Sequence, residues 1–242
     1  MIKGVFFDLG GTLFSYKKMQ TGMMDLFAKM VDRFSLEHDV TEVAHVYNLV
    51  GKEVDLEFAQ MPFFLGRDYF KANFERYLER IGKPEFVSHF DWYEVLFLQT
   101  MDSSFEIQPD CHATLEKLKS IGLYLSIVSN IDDNMLNPLI ERERLDRWFT
   151  HMTSSEAAKS CKPDLQFFRV ALQKSSLSAN EVMFVGDSLE QDILGAHAMG
   201  MHTTLISEPG QSAPMHVGKK TPEPDYRISR LSELPGIITG LA

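Results

Sequence analysis

Three short runs, rich in β-branched and aromatic residues, each end in a polar or reactive side chain. They are Val5-Phe6-Phe7-Asp8, the stretch from Leu123 to Ser129-Asn130, and Val182-Met183-Phe184-Val185-Gly186-Asp187. A fourth, His202–Ile206, is weaker. Runs that are apolar on both faces read as strands buried in a parallel sheet. Between them, apolar residues recur at helical spacing. Leu115, Leu118 and Ile121 share a face, with Gly122 as a stop. Phe167, Phe168, Ala171 and Leu172 mark a helix opened near Pro163, and Leu189, Ile193, Ala196 and Met199 mark one closed by Gly200. Strands alternating with helices predict an α/β fold, a doubly wound parallel sheet.

Residues 15–104 break that rhythm. They hold no convincing strand, and Met23, Phe27, Met30 and Phe34, then Phe70, Phe74, Tyr77 and Leu78, repeat at helical spacing. The Met-rich face at Met19, Met23, Met24 and Met30 reads as core. The expected organisation is a core of residues 1–14 and 105–242 and an inserted all-helical module of residues 15–104. Six prolines and glycines over 208–224 mark a surface loop before a last short strand.

Composition narrows the function class. Hydrophobic residues at 44% supply a core, and 24 Lys and Arg against 34 Asp and Glu give a net charge of −10. Such a chain repels phosphate polymers at long range, which argues against nucleic acid as a partner. A small anion binds only where cations or backbone N–H groups gather locally. No run reaches the ~20 apolar residues of a membrane span. The N-terminus lacks a signal-peptide pattern. The only cysteines, Cys111 and Cys161, form no CxxC pair, so two free thiols and a cytoplasmic address are expected. No heptad run marks an interface, and monomer and dimer both stay open.

In a parallel sheet, ligands bind beyond the carboxyl ends of the strands. There the three best runs place Asp8, Ser129-Asn130 and Asp187 on one rim. Asp8 precedes Leu9-Gly10-Gly11-Thr12, whose glycines turn the backbone sharply and leave N–H groups open to an anion. A carboxylate beside such a nest can attack phosphorus, or it can simply cap the turn. Asp187 and Asp192, in Gly186-Asp187-Ser188-x-x-x-Asp192, can join Asp8 in an oxygen-rich pocket suited to Mg²⁺. The plainer reading is a helix N-cap at Asp187 or Ser188. Lys162 in Cys161-Lys162-Pro163-Asp164 can hold a carboxylate and a phosphoryl group together, or lie idle on the surface.

The set Asp8-Leu9-Gly10-Gly11-Thr12-Leu13, Val128-Ser129-Asn130, Cys161-Lys162-Pro163-Asp164 and Gly186-Asp187-Ser188-x-x-x-Asp192 resembles the haloacid dehalogenase (HAD) superfamily in order, spacing and strand-end placement. The helical insert resembles that superfamily's first cap class. The resemblance implies a Rossmann-like core and a phosphatase that acts on a small phosphorylated metabolite. It implies Asp8 as the nucleophile of an aspartyl-phosphate intermediate and Thr12 as support for its loop. Ser129, with the N–H groups of Gly11 and Asn130, would hold phosphoryl oxygens, and Lys162 would steady the transferring group. Mg²⁺ would be held by Asp8, the Gly10 carbonyl and Asp187, with Asp192 acting through a metal-bound water or by orienting Lys162.

One departure matters. Phosphatases of the superfamily usually carry a second Asp where Gly10 stands. Glycine keeps the carbonyl but has no proton to give, and general acid help is worth ~10²–10⁴-fold in rate. Four readings therefore compete: a Mg²⁺-dependent phosphatase with an acid from elsewhere or a good leaving group; a metal-independent 2-haloacid dehalogenase; a phosphonate-cleaving enzyme using a cap lysine (Lys29, Lys52 or Lys71); and a weakly catalytic binding or regulatory protein. The Gly-Asp-x-x-x-x-Asp pattern favours the first. On sequence grounds Gly10→Asp should raise alkyl-phosphate hydrolysis more than aryl-phosphate hydrolysis. In the insert, Met61-Pro62-Phe63-Phe64-Leu65-Gly66-Arg67 offers aromatics beside Arg67 for an organic anion. His38, His45 and His89 are candidates for the missing acid.

Overall fold

The computed structural model describes residues 1–210 and 213–241. Residues 211–212 of the 208–224 loop, and Ala242 at the end of the core segment, lie outside the described residues. Six strands form one parallel sheet: β1 (Gly4–Phe7), β4 (Tyr124–Ser129), β5 (His151–Ser154), β6 (Val182–Gly186), β7 (His202–Ile206) and β8 (Tyr226–Ile228), in the order β5-β4-β1-β6-β7-β8. Two further strands, β2 (Phe14–Ser15) and β3 (Glu106–Ile107), pair antiparallel in a small ribbon. Ser15 thus belongs to a strand that local pattern did not reveal.

Side chains alternate across β1, and each parity meets a different helical layer. Val5 and Phe7 pack with Leu125, Ile127, Met183 and Val185 against α5 (Cys111–Ser120), α6 (Asp133–Glu143) and α10 (Leu234–Gly240). Phe6 joins Val128, Val182 and Phe184 against α8 (Leu165–Ser175) and α9 (Leu194–Ala198). A short helix, α7 (Ser155–Ala158), follows β5. Each fully buried Phe contributes roughly 1.5–3 kcal/mol. Ile121 does not join Leu115 and Leu118 in the core. The helix α5 ends at Ser120, and Ile121 is 41% exposed.

Between β2 and β3 the chain forms four helices: α1 (Met19–Phe34), α2 (Val40–Phe58), α3 (Gly66–Arg80) and α4 (Phe90–Ser104). They build their own aromatic core, in which the rings of Phe74 and Tyr93 stack at 4.4 Å. An Asp39–Glu42 capping box fixes the start of α2. The four-helix unit meets the sheet domain through the β2–β3 ribbon and through Asp132, whose carboxylate accepts from the N–H groups of Gly66 (2.9 Å) and Arg67 (3.2 Å). The Cys161 N–H, donating to the Pro62 carbonyl at 2.8 Å, is a third tie. Among the described residues no helix is long and apolar enough to cross a membrane.

Candidate active site

Strand β1 lies between β4 and β6, where the chain's direction of winding reverses, and ligands in such sheets bind at that crevice. Asp8 follows β1 directly, and its N–H donates to Val185 at 2.9 Å. Behind it the chain turns tightly, with Leu13 and Phe14 N–H both donating to Leu9 O at 2.9 Å. Gly11 holds φ at +67°, and a Cβ there would overlap the Asp187 carboxylate. Thr12 is wholly buried, and its hydroxyl has no hydrogen-bond partner among the described residues.

Lys162 sits between α7 and α8 with its side chain 1% exposed. Its Nζ donates to Asp8 Oδ1 at 2.5 Å and to Asp192 Oδ1 at 2.6 Å. Burial alone would lower the lysine's pKa, but the charges of Asp192 and Asp8 outweigh it and hold the ammonium above its ordinary value. Asp192 lies within a single π-turn, Leu189–Ile193, capped by Ser188, whose Oγ accepts from Gln191 N at 3.1 Å. The Ser188 N–H in turn donates to Asp192 Oδ2 at 2.9 Å. Gly186 permits this approach, since a Cβ there would lie 2.6 Å from that of Asp192.

Asp8, Asp187 and Asp192 present oxygen atoms all within 4.8 Å of one another. Burial first, then the charges of Asp8 and Asp192, push the Asp187 carboxyl well above its usual range. Burial likewise raises Asp192, against the pull of Lys162. Three carboxylates thus share one ammonium. A hard divalent cation fits that imbalance and that oxygen donor set, and a thiolate-seeking metal does not.

A family model for haloacid dehalogenase-like hydrolases matches residues 2–200. The chain belongs to that family. It is a hydrolase. Ribulose-1,5-bisphosphate 5-phosphatase of Halopiger xanaduensis is 26% identical over 245 residues, 99% of this chain and 100% of that one. Glyceraldehyde 3-phosphate phosphatase of Methanocaldococcus jannaschii is 27% identical over 243 residues, 100% and 99% of the two chains. L-2-Haloacid dehalogenase of Xanthobacter autotrophicus superposes with a TM-score of 0.72 over the whole of both chains, at 21% identity, a likeness of fold.

Above the strand ends of this hydrolase lies a cavity of about 800 Å³, between the sheet domain and the four-helix unit. Asp8, Gly10, Ser129, Asn130, Asp187 and Asp192 line its floor. The side chain of Asn130 is already committed. It accepts from Lys162 N (2.7 Å) and donates to Lys162 O (3.0 Å) and Gln191 (3.2 Å), so any contact of Asn130 with a substrate falls to its backbone. It positions the lysine, a role that its sequence neighbourhood did not signal.

Arg67 is the clear correction. Its Nε donates to Glu94 at 2.8 Å, it faces Asp91 at 3.4 Å and lies over the Phe90 ring, and it does not line the cavity. The exposed guanidinium is paired with acidic partners on that flank and not turned into the cavity. His38, His45 and His89 also stay outside the cavity lining, with His89 packed on Phe34. The roof is built instead from one face of α2, at Tyr47, Asn48, Gly51, Lys52 and Asp55, with Tyr69, Phe70 and Asn73 of α3. Of Lys29, Lys52 and Lys71, Lys52 lines the cavity, whereas Lys71 pairs with Glu75.

The sequence also passed over Tyr16, the first residue after β2. A Cβ built on Gly10 would overlap the Tyr16 hydroxyl and lie 2.9 Å from its Cζ. Burial and the charges of Asp187, Asp8 and Asp192 hold this phenol well above its ordinary pKa. The expected benefit of Gly10→Asp is therefore reversed. In the otherwise unaltered enzyme the new carboxyl collides with the phenol, and hydrolysis of alkyl phosphates should fall rather than rise. Steady-state kinetics of the purified variant check this directly.

Proposed function

We propose that this hydrolase is a Mg²⁺-dependent phosphatase of a small phosphorylated metabolite, working through an aspartyl-phosphate at Asp8. The observation that carries the reading is the gathering of three carboxylates around one buried lysine on the rim where such sheets bind ligands. Relatives named as phosphatases, matched along almost their full length, support the substrate class.

In this reading Asp8, the Gly10 carbonyl and Asp187 hold Mg²⁺. Bound there, the ion supplies charge neutralisation at the phosphoryl oxygens. Lys162 fixes one oxygen of Asp8, which leaves the other to attack phosphorus. Both oxygens of Asp192 are engaged, by Lys162 and by the Ser188 N–H, so we assign it to orienting the lysine. In the same reading the Ser129 hydroxyl and the N–H groups of Gly11 and Asn130 take the phosphoryl oxygens, and Thr12 supports the turn. The roof of helices covers the strand ends and frames the cavity that receives the leaving group. Water then hydrolyses the acyl phosphate and regenerates Asp8.

The test is hydrolysis of p-nitrophenyl phosphate. Activity should vanish with EDTA and return with Mg²⁺. Halide release from a 2-haloacid without metal, and no phosphate release, would replace this reading with a dehalogenase. The position of Lys52 favours one second reading, phosphonate cleavage through an imine, which borohydride trapping with phosphonoacetaldehyde would single out.

A further inference from the structure

The missing carboxyl at Gly10 leaves a volume beside the nucleophile, and one side chain fills it. The hydroxyl of Tyr16 stands where a side chain on Gly10 would begin, and the ring edge reaches over Gly11, within 2.9 Å of the position of a Cβ there. Tyr16 lines the cavity beside Asp8, Gly10 and Asp187. Its placement is not casual. The pairing of Phe14 with Ile107 and Ser15 with Glu106 fixes the residue before it, and its carbonyl accepts from Met19 N at 2.9 Å at the start of α1. Its ring packs on Phe105 with centroids 5.7 Å apart. Among the described residues its hydroxyl makes no hydrogen bond, so its donor is free for a ligand.

We propose that Tyr16 is a catalytic residue of this hydrolase, donating a hydrogen bond to the leaving-group oxygen from the place where a second aspartate would stand. The inference rests on the phosphatase reading and names what replaces the absent acid. As the Asp8 carboxylate bonds to phosphorus, the P–O bond to the leaving group breaks and its electron pair goes to that oxygen. The phenol O–H points a donor at this growing charge and keeps its own proton. The departing alkoxide takes a proton from water, leaving hydroxide, and the later hydrolysis of the acyl phosphate consumes that hydroxide. A poor leaving group depends on such a donor; p-nitrophenolate carries its charge unaided.

The experiment is Tyr16→Phe, which keeps the ring on Phe105 and removes only the hydroxyl, assayed on phosphate monoesters from p-nitrophenyl to simple alkyl. Loss of one preorganised donor should lower kcat/KM for alkyl esters about 100-fold and for p-nitrophenyl phosphate by less than about tenfold. A packing defect would depress both alike, so equal losses, or no loss on either, overturn the assignment. A wild-type enzyme that hydrolyses no phosphate ester overturns the phosphatase reading and this inference with it. An active wild type with an indifferent Tyr16→Phe overturns Tyr16 alone. Should Tyr16→Phe melt below assay temperature, Tyr16→Ala and the Tyr16→Ala/Gly10→Asp pair decide. The carboxyl then enters the vacated volume and should restore alkyl-ester turnover at least about tenfold over Tyr16→Ala. No recovery in a folded double variant overturns the inference.

Discussion

Asp8→Asn is expected to cut phosphate-ester turnover by at least about 10⁴-fold, because an amide is no nucleophile toward phosphorus and the neighbouring Asp192 is committed to Lys162 and the Ser188 N–H. The melting temperature should move by no more than a few degrees. Breaking a buried ion pair usually costs about 3–5 kcal/mol, since one charge is left unpaired. Here the lysine is not left unpaired. Lys162 keeps Asp192 at 2.6 Å, and removing one carboxylate eases the crowding that pushes Asp187 upward. The two effects oppose each other, and a residual of ~1 kcal/mol would shift the transition of a chain this size by about 2–4 °C. Differential scanning calorimetry beside the kinetic assay separates the outcomes. Retained turnover rejects Asp8 as nucleophile, and a collapse in melting temperature would mean that the pair carries stability rather than chemistry.

What could be read from the chain alone follows from how local each signal is. The strands β1, β4 and β6 announce themselves because both faces are largely apolar, a pattern that needs no knowledge of neighbours, whereas β7, with Thr203 and Thr204 inside it, gives a weaker signal. By contrast β5, at the sheet edge, is His-Met-Thr-Ser, with an exposed His151 and a buried Thr153; no apolar run marks it. Residues that gather by ending neighbouring strands, such as Asp8, Ser129 and Asp187, inherit their meeting from the sheet order. The π-turn that brings Asp192 to Lys162 depends on the open face of Gly186, which no periodicity encodes. Arg67 looked like an anion site because its partner Glu94 lies on another helix, 27 residues away. Tyr16 was invisible for the same reason. Its seat beside Gly10 exists only because β2 and β3 pair across the whole helical insert.

That dependence also explains how the site tolerates glycine at position 10. A carboxyl there and a phenol from the end of β2 compete for one volume, so a chain can use either but not both. The arrangement ties the chemistry beside the first strand to the β2–β3 ribbon that flanks the helical insert. Displacing Phe14–Ser15 from Glu106–Ile107 would move the donor away from the nucleophile as well as open the cavity.

Lys162→Met should be the change that damages the stability and the rate of the site together. Methionine fills most of the volume, so the loss is electrostatic. Asp8 and Asp192 both lose the donor that now sits 2.5 and 2.6 Å away, and three carboxylates are left with no cation. Removing one partner from a buried pair costs about 3–5 kcal/mol, which for this length is a fall of about 6–20 °C in melting temperature. Turnover should drop about 10³-fold, since the lost ammonium also faced the charge of the transferring group. The deficit should depend on pH in a definite direction. Asp187 and Asp192 are already held above the ordinary carboxylate range, and losing Lys162 raises Asp192 further. A folded-state pKa above the unfolded one gives stability that is complete below about pH 4 and is lost as pH rises through the folded-state value. The gap between variant and wild type should therefore narrow at pH 5 and widen at pH 8. Mg²⁺ should recover part of it, because a dication fitting the same oxygens replaces some of the missing positive charge. Thermal melts at two pH values, with and without the ion, measure all three effects. A gap that is flat in pH and indifferent to Mg²⁺ would mean that Lys162 packs the site without balancing its charge.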